Sequence, residues 1–219
     1  QILSDGVRAT RSVATDRVVI FVTLLGDGLS LTLIAMAIVT ALCWKRAWYP
    51  AVTSALAFTL TPLIVKLIKV LVARERPNAD LYAGVESFSF PSGHMTNSMV
   101  VYGTLAIFAA TALSGRLRIC AVSGLCLLIA CIGGSRVYLG AHWPSDVIAA
   151  VLLATVVLLV VGWSFSKAPV GKGMNRAFGW VALFVTGAWI IYGAVEIGAA
   201  VSLYEIEIDA EGTADPVVK

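Results

Sequence analysis

VIAAVLLATVVLLVVG, residues 147–162, contains no charged side chain, and Pro144-Ser145-Asp146 stands directly before it. A membrane-spanning helix needs about 20 apolar residues to cross a hydrocarbon core of about 30 Å, and this run supplies most of one. Working outward, the same pattern recurs, placing six spans at 28–48, 50–72, 94–113, 117–139, 144–163 and 178–200. The composition of the 219 residues agrees: 59% are hydrophobic, 13% are charged, and the mean hydropathy is +0.90. Soluble domains carry about 25% charged residues, and a chain of this size has too little interior to hide such an apolar excess. Disorder is excluded on the same grounds. A net charge of only +3 argues against a nucleic-acid partner. No ten-residue alternation suggests a β-barrel. The expected fold is therefore all-α: a polytopic membrane bundle of about six transmembrane helices.

Apolar residues begin at Val18, so the first span needs a decision. A span running through Asp27 would bury a carboxylate in hydrocarbon, which is costly. We therefore expect a short amphipathic helix at 16–25, lying along the membrane surface, with Asp27 as the N-cap of a span starting near Gly28. The organisation expected is an N-terminal interfacial segment (1–27), a membrane-embedded domain (28–200) and a polar acidic tail (201–219). The first 17 residues carry Asp5, Arg8, Arg11, Asp16 and Arg17 and lack the apolar core of a signal peptide. The chain does not start with Met, so we expect the native protein to continue upstream. In the tail, Tyr204-Glu205-Ile206-Glu207-Ile208 alternates like a strand, marking either a disordered end or the start of a further domain.

Loops joining spans 1 and 2, 3 and 4, and 5 and 6 hold Lys45, Arg46, Arg116, Arg118, Lys167, Lys172 and Arg176. Cytoplasmic loops are enriched in such residues, so the 73–93 loop and both chain ends should face outward across a plasma (inner) membrane. Trp44, Trp48, Trp163 and Trp180 fall at interfacial positions. Cys43, Cys120, Cys126 and Cys131 show no metal-type spacing and read as small packing residues.

Ionisable residues beside spans mark functional sites, and here they gather in three outward segments. Lys69 and Arg76, seven apart, share a face and suit an anion if the helix continues that far; alone they read better as snorkelling residues at a span end. In Pro91-Ser92-Gly93-His94, a Ser cap and a Gly open a helix whose free N–H groups suit phosphate; alone this is also an ordinary cap. In the third, Arg136 precedes His142, and Asp146 follows four residues on, close enough to hold one ring nitrogen as N–H and leave the other as a lone pair. Alone that is equally a structural pair. Together they place both histidines of the chain with three cations and a helix N-terminus, which makes a phosphate site with its own nucleophile.

These residues resemble the three-part signature of the type 2 phosphatidic acid phosphatase superfamily: Lys69 followed by six residues and Arg76-Pro77, then Pro91-Ser92-Gly93-His94, then Ser135-Arg136, His142 and Asp146. The resemblance covers about 40–200. It implies dephosphorylation of a lipid phosphate or diphosphate without metal or cofactor, through a phosphohistidine. His142 would attack phosphorus, Asp146 would orient it, and His94 would protonate the leaving oxygen. Lys69, Arg76, Ser92, Gly93 and Arg136 would hold the phosphoryl oxygens. Undecaprenyl diphosphate is the leading substrate, with phosphatidic acid, phosphatidylglycerol phosphate and lipid A phosphate alongside. The partners expected are that substrate and membrane lipids. In one respect the chain departs from the family: the lysine motif ends the second span instead of the third, and two spans follow the last motif. We therefore expect a missing upstream helix and an added final span. A phosphotransferase using the same intermediate is the alternative enzyme. A transporter or scramblase would need more ionisable residues within the bilayer than Lys66 and Asp27 provide.

Overall fold

The computed structural model describes residues 13–77, 87–167, 173–204, 207–208 and 214–215. Seven helices follow one another: α1 (Val13–Leu24), α2 (Gly28–Trp44), α3 (Trp48–Val72), α4 (Gly93–Ala112), α5 (Gly115–Tyr138), α6 (Pro144–Lys167) and α7 (Met174–Tyr204). Two short strands, β1 (Glu207–Ile208) and β2 (Ala214–Asp215), pair antiparallel. The rest of the acidic tail, like Lys172 and residues 1–12, lies outside the described residues.

Five of the helices, α3 to α7, are each long and apolar enough to cross a membrane. At 17 residues α2 is about 26 Å long, short of the hydrocarbon thickness, and it passes the same test only together with α1. The break at Asp27 is where the sequence places it, but α1 meets α2 at 44°, a lean and not the right angle of a helix lying flat beside a span. Asp27 occupies the N-cap position with extended backbone, yet its side chain caps nothing. It accepts a 2.5 Å hydrogen bond from the Tyr192 hydroxyl of α7 instead. The strong pull of a carboxylate on a phenolic donor in an apolar setting outweighs a cap open to competition.

The first span stops at Trp44, earlier than expected, because Arg46 takes a left-handed conformation (φ 55°) and reverses the chain. Trp48 then belongs to α3, and Pro50 falls in its first turn, where a missing N–H is harmless. The far end of α6 and the start of α7 return to this turn: a β-carbon on Gly173 would come within 3.0 Å of Lys45 Nζ. Leu113, Ser114 and Asn175 line one hollow at the same end. The described basic connections thus share one end of the bundle.

Helix α4 is the most buried helix, with α2, α3, α5, α6 and α7 packed around it. Helices in a membrane gain little from excluding water between them, so close approach of small residues matters most. A β-carbon on Gly103 would lie 2.5 Å from Leu158 Cδ1 of α6, and one on Gly133 of α5 would lie 2.9 Å from Met95 Sδ. Large apolar side chains such as Leu67, Leu127, Leu159 and Ile190 are exposed on the outside, where lipid replaces water. Cys120, Cys126 and Cys131 are also exposed on α5 and do not pack inside, contrary to the sequence reading. Replacing Gly103 by Phe should therefore wedge α4 from α6. Overpacking of this kind costs about 1–3 kcal/mol. The thermal melting temperature of the detergent-solubilised protein should fall, while Gly124→Ala, which meets nothing, should leave it unchanged.

Candidate active site

Helix α3 ends at Val72 because Ala73 turns left-handed (φ 48°) and donates its N–H to the Lys69 carbonyl. The chain then runs as extended backbone, with Glu75 bridged to Phe88 and Ser89 N–H bonded to Arg74 O at 2.7 Å. Lys69 and Arg76 therefore do not share a helical face, as their seven-residue spacing suggested. The chain turns between them, and each meets a different neighbour. Lys69 is buried in the last turn of α3 beside Gly93, where a β-carbon would come within 3.9 Å of its Cε. Arg76, also buried, donates from Nη1 to Ala141 O at 2.8 Å and reaches His142 Nε2 at 3.2 Å.

Ser92 caps α4, its Oγ accepting from Met95 N–H at 3.4 Å, and its own N–H donates to the Asp146 carbonyl at 3.2 Å. In the third segment α5 closes with Gly140 at φ 68°, a conformation that a β-carbon would strain. Both Ala141 and His142 donate N–H to Arg136 O at 3.1 Å. That turn delivers His142 to the start of α6, where Asp146 is completely buried. Asp146 Oδ2 accepts from Trp143 N–H at 2.9 Å and lies 3.6 Å from His142 Nδ1, facing it beyond hydrogen-bond length.

The neighbours of each histidine fix its tautomer. A guanidinium can only donate, so His142 Nε2 meets Arg76 as a lone pair, and the ring proton sits on Nδ1, toward Asp146. A carbonyl can only accept, so His94 Nε2, 2.7 Å from Thr23 O, carries its proton there. The two rings hold opposite faces of the same chemistry. Burial pushes the His142 pKa down to about 4, helped by the charges of Arg136 and Arg76 and opposed by Asp146. At neutral pH its Nε2 lone pair is therefore available.

Of the eight residues the sequence singled out, all lie in the three segments that meet here. Arg136, at the end of α5, joins them through Thr23, donating from Nη1 to Thr23 Oγ1 at 3.0 Å. Arg74 escaped the sequence reading: its Nη1 donates to Asp146 Oδ1 at 2.7 Å and to Ser145 Oγ at 2.8 Å. An extra cation two residues before Arg76 was the available signal. Thr23 and Gly26 also escaped it, and nothing in their residue types announces a role. Among the described residues no three His, Cys, Asp or Glu side chains converge as a metal-ligand set. An apolar cavity of about 600 Å³ opens between α2, α3 and α4, lined by residues including Leu31, Met36, Phe58 and Val101. Asn97, on α4 one turn beyond His94, also lines it.

The PAP2 superfamily model matches residues 50–169. The chain is 30% identical over 122 residues to phosphatidylglycerophosphatase B of Bacillus subtilis (strain 168), covering 54% of this chain and 59% of that protein. It is 35% identical over 155 residues to lipid A 1-phosphatase of Rhizobium etli, covering 60% and 62%. To the decaprenylphosphoryl-5-phosphoribose phosphatase of Mycobacterium tuberculosis it is 36% identical, covering 61% and 66%. The chain thus spans about six-tenths of the length of these curated relatives. Among solved structures it is similar to the crystal structure of a transmembrane PAP2-type phosphatidylglycerolphosphate phosphatase from Bacillus subtilis. That match has a TM-score of 0.67 at 27% identity and covers 78% of this chain and 85% of that one. With the family match spanning more than half the sequence and the fold agreeing beyond it, this multi-pass helical membrane protein belongs to the PAP2 superfamily.

Proposed function

We propose that the protein is an integral membrane phosphatase that removes phosphate from a lipid phosphate or diphosphate through a phosphohistidine on His142. The observation that carries this reading is the 3.2 Å contact between Arg76 Nη1 and His142 Nε2. It keeps a buried neutral imidazole with its lone pair directed at a cation, the place where a phosphoryl oxygen would be drawn in.

The reaction follows from the groups present. Phosphoryl transfer is mostly positioning and neutralisation of charge on the equatorial oxygens. Lys69, Arg76, Arg136, the Ser92 hydroxyl and the Gly93 N–H supply that neutralisation without a metal. His142 Nε2 attacks phosphorus, and the bond to the lipid oxygen breaks with its electron pair on that oxygen. His94 gives the oxygen a proton, releasing the lipid alcohol, or the lipid monophosphate from a diphosphate. Water then loses a proton to His94 and attacks the phosphohistidine, and the P–N electron pair returns to Nε2. Asp146 faces Nδ1 and balances the positive charge that grows on the ring.

The lipid character of the substrate is supported by the apolar cavity that Asn97, one turn along α4 from His94, helps to line, whose volume suits hydrocarbon, and by the lipid phosphates that the relatives' names specify. Undecaprenyl diphosphate leads the candidate substrates, before phosphatidic acid, phosphatidylglycerol phosphate and lipid A phosphate. The described basic turns lie together, and the connections joining α3 to α4 and α5 to α6 carry the site at the other ends of these helices. By the positive-inside rule this arrangement supports a site that faces outward across a plasma membrane.

Purified protein in excess EDTA should release phosphate from one of these lipids, and His142→Ala should release none while melting normally. Activity in that variant, or a strict need for added Mg²⁺, would defeat the mechanism. His94→Ala should slow phosphatidic acid, with its poor alkoxide leaving group, by about 10²–10⁴-fold, the usual contribution of a general acid. The activated ester p-nitrophenyl phosphate should suffer far less. In a His94→Asn background His142 is the only histidine of the chain. There kcat/KM for the aryl ester, corrected for the substrate's own ionisation, should stay flat from pH 8 to 5.5. It should fall only as the pH drops toward about 4, when the lone pair is lost to a proton. An acid limb near 6.5 would contradict the buried neutral His142.

A further inference from the structure

The turn between α1 and α2 lies outside the residues that the family model matches, yet it touches the site at three points. Thr23, itself buried, uses both of its oxygens: the carbonyl accepts from His94 Nε2 at 2.7 Å, and Oγ1 accepts from Arg136 Nη1 at 3.0 Å. Gly26 completes the contact, because a β-carbon there would fall 2.8 Å from His94 Nε2 and Cδ2 and 2.6 Å from Ser98 Oγ. Such distances are closer than atoms tolerate, so the turn approaches the ring only because this residue has no side chain.

Tyrosines from three helices pin the segment. Tyr138 of α5 donates to Asp16 at 2.9 Å, Tyr102 of α4 to Leu25 O at 2.5 Å, and Tyr192 of α7 to Asp27 at 2.5 Å. Phe21 lies against α7 where Gly193 leaves room, a β-carbon there falling 2.5 Å from its ring. A segment held at both ends and in the middle can hold what it touches.

We propose that Thr23–Gly26 is the positioning element of the proton donor: the Thr23 carbonyl locks His94 by Nε2–H, Gly26 sets the ring's place, and the Thr23 hydroxyl aligns Arg136. With Nε2 committed to the carbonyl, the proton given to the leaving oxygen travels on Nδ1, which has no partner among the described residues. The carbonyl also stabilises the doubly protonated ring, as a carboxylate does in a triad. The proposal rests on the phosphatase reading above.

The test compares phosphatidic acid in mixed micelles with p-nitrophenyl phosphate for wild type, His94→Ala, Gly26→Ala, Thr23→Val and Thr23→Ser. Gly26→Ala changes no polar group, yet it should lower kcat for phosphatidic acid by about 10–100-fold and for the aryl ester by less than about 3-fold, copying the His94→Ala pattern. Thr23→Val keeps the carbonyl and loses the hydroxyl. It should therefore raise KM for both esters by about 10-fold, the worth of one hydrogen bond to a charged group, and Thr23→Ser should restore it. Equal losses on the two esters for Gly26→Ala, or a Thr23→Val enzyme indistinguishable from wild type, would overturn the proposal. If Gly26→Ala does not fold, the Val and Ser pair decides alone. A His94→Ala variant without leaving-group dependence would instead defeat the general-acid reading itself, and this proposal with it.

Discussion

Everything at the site's end of the bundle hangs on one buried carboxylate. Asp146 is wholly inaccessible, and each of its oxygens is committed: Oδ1 to Arg74, Oδ2 to the Trp143 N–H, and the main-chain oxygen to the Ser92 N–H. These bonds tie the end of α3, the cap of α4 and the start of α6 into one knot. An ion at this depth is tolerable only when its partners are in place, since burying a charge without them costs several kcal/mol. The same knot sets Asp146 opposite His142 Nδ1, and so fixes which nitrogen of that ring carries the lone pair.

Around this knot the bundle is built for closeness. Gly103 on α4 and Gly133 on α5 let α4 come near α6 and α5, and α4 carries His94 into the site. Where the packing opens instead, between α2, α3 and α4, the space is apolar and reaches Asn97, one turn along α4 from the histidine. A charged, hydrogen-bonded head region and an adjoining hydrocarbon-lined cavity are the two environments that a lipid phosphate needs at once.

The N-terminal helix changes meaning between sequence and structure. Composition made it a segment beside the domain. In the fold its last turn is a wall of the site, and α7, the final span that looked like an addition, braces that wall through Tyr192 and the space at Gly193. Tyr102 receives the Trp189 indole N–H at 3.2 Å while itself bonding to Leu25 O, so α4 and α7 hold the turn together. Two elements at opposite ends of the chain thus support a site whose motifs lie between them.

Spans were legible because hydrocarbon demands unbroken apolar runs, and Lys69, Arg76, Ser92, Gly93, His94, Arg136, His142 and Asp146 were legible because their chemistry belongs to their side chains. The sequence by itself determined the membrane class, the order of the helices and these residues. Tertiary structure decided how they meet. A left-handed Ala73, not a helical face, sends Arg76 to His142, and no propensity forecasts that conformation there. Asp27 leaves its cap for a tyrosine 165 residues away, and Arg74 reaches Asp146 across 72. Thr23 and Gly26 act through a carbonyl that every residue has and a side chain that glycine lacks. Such contributions depend only on where the backbone lies, so they become visible only once the chain is folded.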